Sequence, residues 1–175
     1  MEAMVDTSAD HAVEQLYAAA WVPMVRLATL LLGDQSRAED IVQEALIGLH
    51  RRWGGLEDPT HATAYLRRSV VNGVRSAQRH STVAERHLRA EAGDPTLPQV
   101  AAGADVAALA RDQRALLLDA VGALPQRQRE VLTLRYWSDL SEAEIADTLG
   151  ISTGSVKTHA HRALAALATR REDLA

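Results

Sequence analysis

The chain has 175 residues, of which 47% are hydrophobic and 24% charged, and a formal net charge of −4. This composition predicts one ordinary domain or two small ones and excludes a disordered or membrane-like chain. Cysteine is absent, which excludes disulfides, thiolate catalysis and cysteine-ligated zinc. No export signal or long apolar stretch is present, so we expect a cytoplasmic protein without membrane insertion.

Charge is unevenly distributed along the chain. Residues 1–50 carry two arginines against eight acidic residues, whereas residues 51–89 carry eight arginines against three. Residues 90–124 are acidic again, and residues 125–175 carry seven charges of each sign. A basic block inside an acidic chain predicts an anionic partner at that block and different partners elsewhere.

The amino-terminal part shows the spacing of three helices. Apolar residues run almost continuously over 12–32, broken by Pro23, and stop at a Gly-Asp pair that is typical of a helix end. Ser36 and Glu39 have the S-x-x-E spacing of a capping box, which predicts the start of a second helix. A third helix is expected between Pro59 and about His80.

The following segment separates two helical parts. Residues 81–104 contain two prolines and two glycines without clear periodicity, which predicts a flexible linker that lets the two parts move relative to each other. Leucine and alanine spacing resumes over 105–124, and Pro125 begins another helix. We therefore predict an all-α protein with two small helical domains and a flexible linker, the second domain containing a helix-turn-helix. The predicted ranges are 10–80, 81–104 and 105–175.

The carboxy-terminal part contains the helix-turn-helix pattern. Ser141 and Glu144 form a second capping box ahead of a short amphipathic helix that ends at Gly150. Ser152 can cap the next helix, and a small Ala146 lies where the two helices would cross. Two helices joined by a short glycine-containing turn are typical of a helix-turn-helix DNA-binding motif, in which the second helix enters the major groove.

The second helix of this motif presents a polar face. Its short hydroxyls and cations near a helix amino terminus suit contacts with phosphates and base edges. The same composition on an isolated helix is more often only solvated. A metal site is excluded because His159 and His161 point about 200° apart around a helix. We call the recognition face the set Thr153, Ser155, Lys157, Thr158, His159 and Arg162.

The run LPQRQREVLTLRYWSDLSEAEIADTLGISTGSVKTHAHRAL resembles the carboxy-terminal DNA-binding region of extracytoplasmic-function (ECF) sigma factors of bacterial RNA polymerase. The resemblance covers roughly residues 124–168. LuxR-type regulators have a similar sequence motif. This part alone therefore leaves an alternative, a LuxR-like regulator that acts independently of core polymerase. His159 departs from the sigma pattern, in which arginine is usual.

The amino-terminal part favours the sigma family, because no alternating β/α receiver pattern is present. The run AEDIVQEAL and the arginine-rich helix after it resemble the polymerase-binding half of sigma factors over roughly residues 12–80. On the sequence pattern alone, an acidic stripe on a helix is more often a solvated surface than a binding site. The resemblance implies that this one docks on the β′ clamp helices, through Glu39, Asp40, Gln43 and Glu44. Together with Ile47, the last three form what we call the α2 stripe: Asp40, Gln43, Glu44 and Ile47.

The third helix carries a basic stripe, which we call the α3 ridge: Arg68, Asn72, Arg75 and Arg79. Three cations and an amide without interleaved glutamates favour phosphate contact. The resemblance implies contact with the minus-ten element. It also implies that the preceding loop receives a flipped base, with Trp53, Leu56, Glu57 and Asp58 as candidates. Trp53 could equally be the last residue of the hydrophobic core of the amino-terminal part.

The resemblance implies an alternative sigma factor whose partners are core RNA polymerase (β′ clamp helices and β flap), promoter DNA and an anti-sigma factor. We expect no cofactor and no enzymatic activity. A second hypothesis is a helix-turn-helix regulator that binds a palindromic operator as a dimer. A helical-bundle hydrolase is disfavoured because no HExxH, ExxH pair or nucleophile elbow is present.

Overall fold

The three-dimensional structure is a computed structural model that describes residues 3–53, 61–91 and 118–173, with side chains over 16–53, 61–80 and 118–170. Within those ranges it contains helices and turns and no strand, which confirms the all-α class. The helices are α1 (Ala3–Leu32), α2 (Gln35–Arg52), α3 (Ala62–Glu91), α4 (118–122), α5 (Gln126–Tyr136), α6 (Glu142–Leu149) and α7 (Thr153–Asp173). We call α1–α3 the first lobe and α4–α7 the second lobe.

The first helix continues through Pro23, where the sequence pattern predicts a break. Proline removes one intrahelical hydrogen bond. Pro23 lies on the exposed side of α1, where water can satisfy the freed carbonyl, while Leu27 and Leu31 anchor the following turns in the core. The helix ends as predicted at Gly33, whose φ of 80° allows its N–H to donate to the carbonyl of Thr29 at 2.7 Å.

The predicted capping box at the start of α2 is wrong. The N-cap is Asp34, whose side chain accepts a hydrogen bond from the backbone N–H of Arg37 at 3.1 Å. Ser36 therefore lies inside the first turn, and Glu39 accepts from the side-chain amide of Gln35 at 2.9 Å. Aspartate caps a helix as well as serine does, and Asp34 follows the α1 turn directly, so the helix begins earlier.

The third helix is longer than predicted. It runs to Glu91, so residues 81–91, which we predicted as the start of the linker, are helical. The glycines and prolines of that segment all follow Glu91, and the residues before them contain no helix breaker. The rest of the predicted linker and residues 105–117 lie outside the described ranges.

The first lobe is a three-helix bundle in which every pair of helices is in contact. α2 contributes the buried residues Val42, Leu46 and Leu49, and α3 contributes Leu66, Val70, Val71 and Val74. The side chain of Ile41 lies against Gly73, where a Cβ atom would come 2.7 Å from Cγ2 of Ile41. The apolar periodicities of α2 and α3 thus face one core, which leaves their polar stripes at the surface.

The second lobe packs α5 and α6 against α7. Val131 and Leu134 of α5, Ile145 of α6 and Val156 of α7 are fully buried, and burying each such side chain contributes about 1.5–3 kcal/mol. Leu164 lies on the exposed side of α7. Ala160 and Ala163 continue the buried row of this helix after Val156.

The two lobes are in contact. α1 packs against α5 and α3 packs against α6, and one continuous cluster of buried apolar residues spans both lobes. No helix in the described ranges is both long enough and apolar enough to cross a membrane.

Candidate nucleic-acid interface

The turn between α6 and α7 has the local geometry that the sequence predicts. The hydroxyl of Ser141 accepts from the backbone N–H of Glu144 at 3.3 Å, and the Glu144 carboxylate accepts from the backbone N–H of Ser141 at 2.9 Å. Gly150 ends α6 with a φ of 65°, and the N–H of Ile151 donates to the carbonyl of Ala146 at 3.0 Å. The capping box and the glycine turn are therefore confirmed.

The hydrogen bonds from Ser141 also set the charge state of Glu144. The Ser141 hydroxyl donates to the carboxylate at 2.6 Å. This hydrogen bond and the backbone hydrogen bond favour the ionised form, so they lower the pKa of Glu144 below its ordinary value. A negative charge in the first turn of α6 also interacts favourably with the helix dipole.

The recognition face lies at the surface of α7, directly after its N-cap. The hydroxyl of Ser152 accepts from the backbone N–H of Ser155 at 3.1 Å, which confirms the predicted cap. Four of the six side chains are exposed: Thr153, Lys157, Thr158 and Arg162. Ser155 and His159 are half-buried. Nδ1 of His159 is buried and has no hydrogen-bond partner within the described ranges.

The α2 stripe is also exposed. Asp40, Gln43 and Glu44 point to solvent, and Ile47, which is 44% exposed, adds an apolar side chain to the same surface. Glu39 is half-buried beside this stripe. The helix therefore presents acidic and amide groups next to an apolar contact, which suits a basic protein partner better than DNA.

The α3 ridge is divided between the surface and the second lobe. Asn72 and Arg79 are exposed. Arg75 instead forms two hydrogen bonds of 2.8 Å with the carboxylate of Glu130 in α5. Arg68 lies 2.6 Å from the carboxylate of Asp147 in α6. Two of the three cations of the ridge are therefore paired with acidic residues of the second lobe.

The candidate base pocket is only partly described. Trp53 is half-buried and packs against the core of the first lobe. Leu56, Glu57 and Asp58 lie outside the described ranges.

The sequence patterns did not identify Glu130, Asp147 or Arg67 as interface residues. Glu130 is a buried charge in α5. The one sequence signal for a basic partner was its position on the apolar side of that helix. Arg67 lies with Arg26 and Trp137 around a crevice between the lobes. Burial lowers the pKa of Arg67, opposed by the charge of Glu144, and its Nε is buried without a partner in the described ranges.

Comparison with known protein families gives two matches on this chain. Residues 16–82 match sigma-70 region 2, and residues 109–167 match sigma-70 region 4. The chain belongs to the sigma-70 family. Region 2 thus covers the α2 stripe and the α3 ridge, and region 4 covers the recognition face. The region 2 match disfavours the LuxR-like alternative.

Curated sigma factors resemble the chain over most of its length. The RNA polymerase sigma-E factor of Streptomyces avermitilis is 38% identical over 151 residues, which cover 86% of this chain and 78% of that protein. The ECF RNA polymerase sigma factor SigL of Mycobacterium tuberculosis is 31% identical over 157 residues, which cover 85% and 82%. These relatives place this sigma factor in the ECF group, as the sequence resemblance implied.

Two solved structures share the fold. CnrH in complex with the cytosolic domain of CnrY superposes with a TM-score of 0.66 at 21% identity, over 94% of this chain and 95% of that one. The sigma factor RpoE in complex with the anti-sigma factor NepR from Bartonella quintana gives 0.69 at 22% identity, over 88% and 92%. At these identities the likeness shows the fold alone.

Proposed function

We propose that this chain is an alternative sigma factor that binds core RNA polymerase and directs promoter-specific initiation of transcription. The observation that carries the proposal is the coincidence of the two matched sigma-70 regions with the two lobes that present the α2 stripe and the recognition face. The net charge of −4 is consistent with this function. A free sigma factor should bind DNA weakly and gain affinity when polymerase supplies most of the positive charge.

Each polar surface has a proposed role. The α2 stripe, with Glu39 beside it, docks on the β′ clamp helices, and the second lobe contacts the β flap. The recognition face enters the major groove of the minus-thirty-five element. The α3 ridge contacts the minus-ten element, and Trp53, Leu56, Glu57 and Asp58 receive the flipped base. Flipping costs a few kcal/mol of stacking, which the pocket must offset by new contacts.

Sigma factors in general regulate initiation and are not enzymes. We propose the same for this chain, so that strand opening is driven by binding energy within the holoenzyme. Its place of action is then the cytoplasm, where polymerase and promoter meet. An anti-sigma factor is a further proposed partner, since the solved RpoE structure contains one.

The experiment that tests the function compares three samples on genomic promoter fragments: the chain alone, core polymerase alone and the two together. Run-off transcription and start-site mapping should give discrete transcripts only from the mixture. Specific binding of duplex DNA by the chain alone, without polymerase-dependent transcripts, would instead support a conventional helix-turn-helix regulator.

A further inference from the structure

Glu142 of α6 connects the recognition face to the rest of the second lobe. Its Oε2 atom lies 3.5 Å from the ammonium group of Lys157 in α7. Its Oε1 atom accepts a hydrogen bond of 3.4 Å from the guanidinium of Arg135 in α5. One carboxylate therefore links three helices, and one of its two partners is a cation that the proposed function assigns to DNA.

The two partners of Glu142 differ in exposure. The side chain of Arg135 is 37% exposed and that of Glu142 is 32% exposed, whereas that of Lys157 is 68% exposed. Ion pairs this exposed contribute little to stability. The contact matters instead for what Lys157 can bind. Its ammonium group has three donors on a flexible stem, so it can bind a second acceptor while it stays beside Glu142.

The first helix of the helix-turn-helix motif is acidic. Residues 136–150 contain four acidic residues and no lysine or arginine. Glu142 is the first residue of α6 and contacts the recognition face through Lys157. In motifs of this kind the first helix crosses the DNA backbone. We therefore expect phosphates to approach Lys157 from the side on which Glu142 lies.

Glu142 affects two kinds of DNA acceptor differently. A phosphate that bonds the ammonium group of Lys157 comes close to the carboxylate, and the two negative charges repel each other. The major-groove edge of guanine presents N7 and O6, which accept hydrogen bonds without a formal charge. Lys157 can therefore contact Glu142 and a base edge together, whereas contacting Glu142 and a phosphate together is unfavourable.

We propose that Glu142 is a specificity-determining positioning residue, which reserves Lys157 for base edges of the minus-thirty-five element and opposes its contact with phosphate. This inference rests on the proposed function for the role of the recognition face. The balance of seven charges of each sign over residues 125–175 agrees with it. A DNA-binding lobe without net positive charge depends on base contacts, because its attraction to DNA of arbitrary sequence is weak.

Binding of the chain alone to random duplex DNA tests the effect on phosphate contact. Fluorescence anisotropy should show that Glu142→Gln binds about twofold to fivefold more tightly than the unaltered chain, which is the strength of an exposed ion pair. A salt series should give a slope of log affinity against log salt that is steeper by about 0.9, as for one added phosphate contact. Unchanged affinity and slope would overturn the proposal.

A double variant tests whether Glu142 acts through Lys157. In Lys157→Gln the ammonium group is absent, so the further change Glu142→Gln should alter neither affinity nor salt slope appreciably. An equal gain with and without Lys157 would show that Glu142 acts only as a general negative charge. That result would contradict the positioning role.

Two controls separate the contact from net charge and from helix stability. Asp119→Asn removes one charge from an exposed position in α4, which shares an apolar cluster with the carboxy-terminal half of α7, and should leave binding unchanged. Glu142→Gln/Ala143→Glu moves the charge to the next position, which is exposed, and so keeps a negative charge in the first turn of α6. It should retain most of the gain. Circular dichroism should show the same helical content in each variant, and a full return to the unaltered affinity would refute the role of the contact.

Promoter discrimination by the holoenzyme is the final test. A promoter identified by start-site mapping is compared with the same fragment carrying a scrambled minus-thirty-five element. In Glu142→Gln the ratio of the two affinities should fall by about twofold to fivefold, and an unchanged ratio would overturn the proposal while leaving the sigma function intact. Failure of the unaltered chain to support transcription would overturn the sigma function. The measurements on random DNA with the chain alone would still decide whether Glu142 controls Lys157.

Discussion

Lys157 and Arg162 are the exposed cations of the recognition face. We expect Lys157→Ala and Arg162→Ala each to weaken binding to the minus-thirty-five element by about 1–3 kcal/mol where the side chain touches a base, and by less where it touches phosphate. Holoenzyme binding to a labelled upstream element measures the effect.

Arg170→Ala is the matched control for this prediction. Arg170 is an exposed cation on the same helix, about two turns beyond Arg162. Its loss should change affinity little. Run-off transcription that is unchanged in Lys157→Ala/Arg162→Ala would show that the recognition face is wrongly assigned.

His159 occupies a half-buried position on the recognition face, and its Nδ1 is buried without a partner in the described part of the chain. Arginine is longer and carries a forked donor, so it can reach past the helix surface. We expect His159→Arg to introduce a preference for guanine at one base pair, worth about 1–3 kcal/mol. Selection from a randomised minus-thirty-five library with holoenzyme measures it, and an unaltered preferred sequence would contradict it.

At the scale of helices, the contact between α2 and α3 depends on the missing side chain of Gly73. A Cβ atom there would lie 2.7 Å from Cγ2 of Ile41, which is attached to Cβ and cannot swing away alone. We expect Gly73→Ala to lower the free energy of unfolding by about 1–3 kcal/mol despite alanine's better helix propensity. Urea unfolding measures the change.

Two further variants isolate the cause. At Gly48 in α2, a Cβ atom would meet nothing within 4 Å. Gly48→Ala should therefore raise the free energy of unfolding by about 0.5–1 kcal/mol. Ile41→Ala should recover part of the loss in Gly73→Ala, and a purely additive double variant would disprove the contact.

The capping box of α6 predicts a pH-dependent stability. Because the Ser141 hydroxyl lowers the pKa of Glu144, the contribution of that ionised carboxylate is complete above the ordinary glutamate pKa. It is lost as the pH falls through the lowered value. Near neutral pH, we expect Ser141→Ala to cost about 1 kcal/mol of unfolding free energy through loss of the cap.

The difference between the unaltered chain and Ser141→Ala should narrow on acidification, and urea unfolding across a pH series measures it. Thr169→Ala is the control. The Thr169 hydroxyl bonds a carbonyl within α7 at 3.2 Å, and its loss should change stability by less than about 0.5 kcal/mol. A difference that widens at low pH would be inconsistent with the assigned hydrogen bond.

Local sequence signals predicted the ends of a helix correctly where only one nearby residue could act as its cap. Ser141 and Gly150 bound a short helix as expected, because caps act within one turn. At α2, Ser36 had a competitor in Asp34, and the earlier cap prevailed. Residues 81–91 were misassigned because weak periodicity was taken as a linker, although the helix breakers come later.

At the scale of the molecule, the α2 stripe provides a test of polymerase docking. Asp40 is exposed on that stripe, and its replacement by lysine would place a cation against a basic partner surface. We expect Asp40→Lys to weaken binding to core polymerase by about tenfold or more, or about 1.4 kcal/mol. Pull-down with purified core polymerase at several protein concentrations measures the affinity.

Asp119→Lys makes the same change in net charge on the other lobe and should leave that affinity nearly unchanged. If both variants bind core polymerase equally well, net charge alone or another surface controls docking. Circular dichroism of the two proteins verifies that their helical content is the same.

The arrangement of the lobes could not be predicted from the sequence. The α3 ridge was recognised because its residues recur at helical spacing, but its partners are distant. Glu130 lies 55 positions from Arg75, and Asp147 lies 79 positions from Arg68. No periodic or capping signal connects residues across such a separation. The predicted mobile linker even suggested independent lobes, whereas the structure has them in contact.

The contact between Arg68 and the backbone carbonyl of Asp147 has a consequence for α6 itself. That carbonyl lies in the last turn of α6, where the aligned peptide dipoles leave a partial negative charge. The guanidinium of Arg68, which belongs to the first lobe, therefore acts as a carboxy-terminal cap of α6. Arg68→Ala removes that cation from the carboxyl end of α6. We expect the last turn of α6 to fray more readily in Arg68→Ala, and amide hydrogen exchange in that turn measures the change.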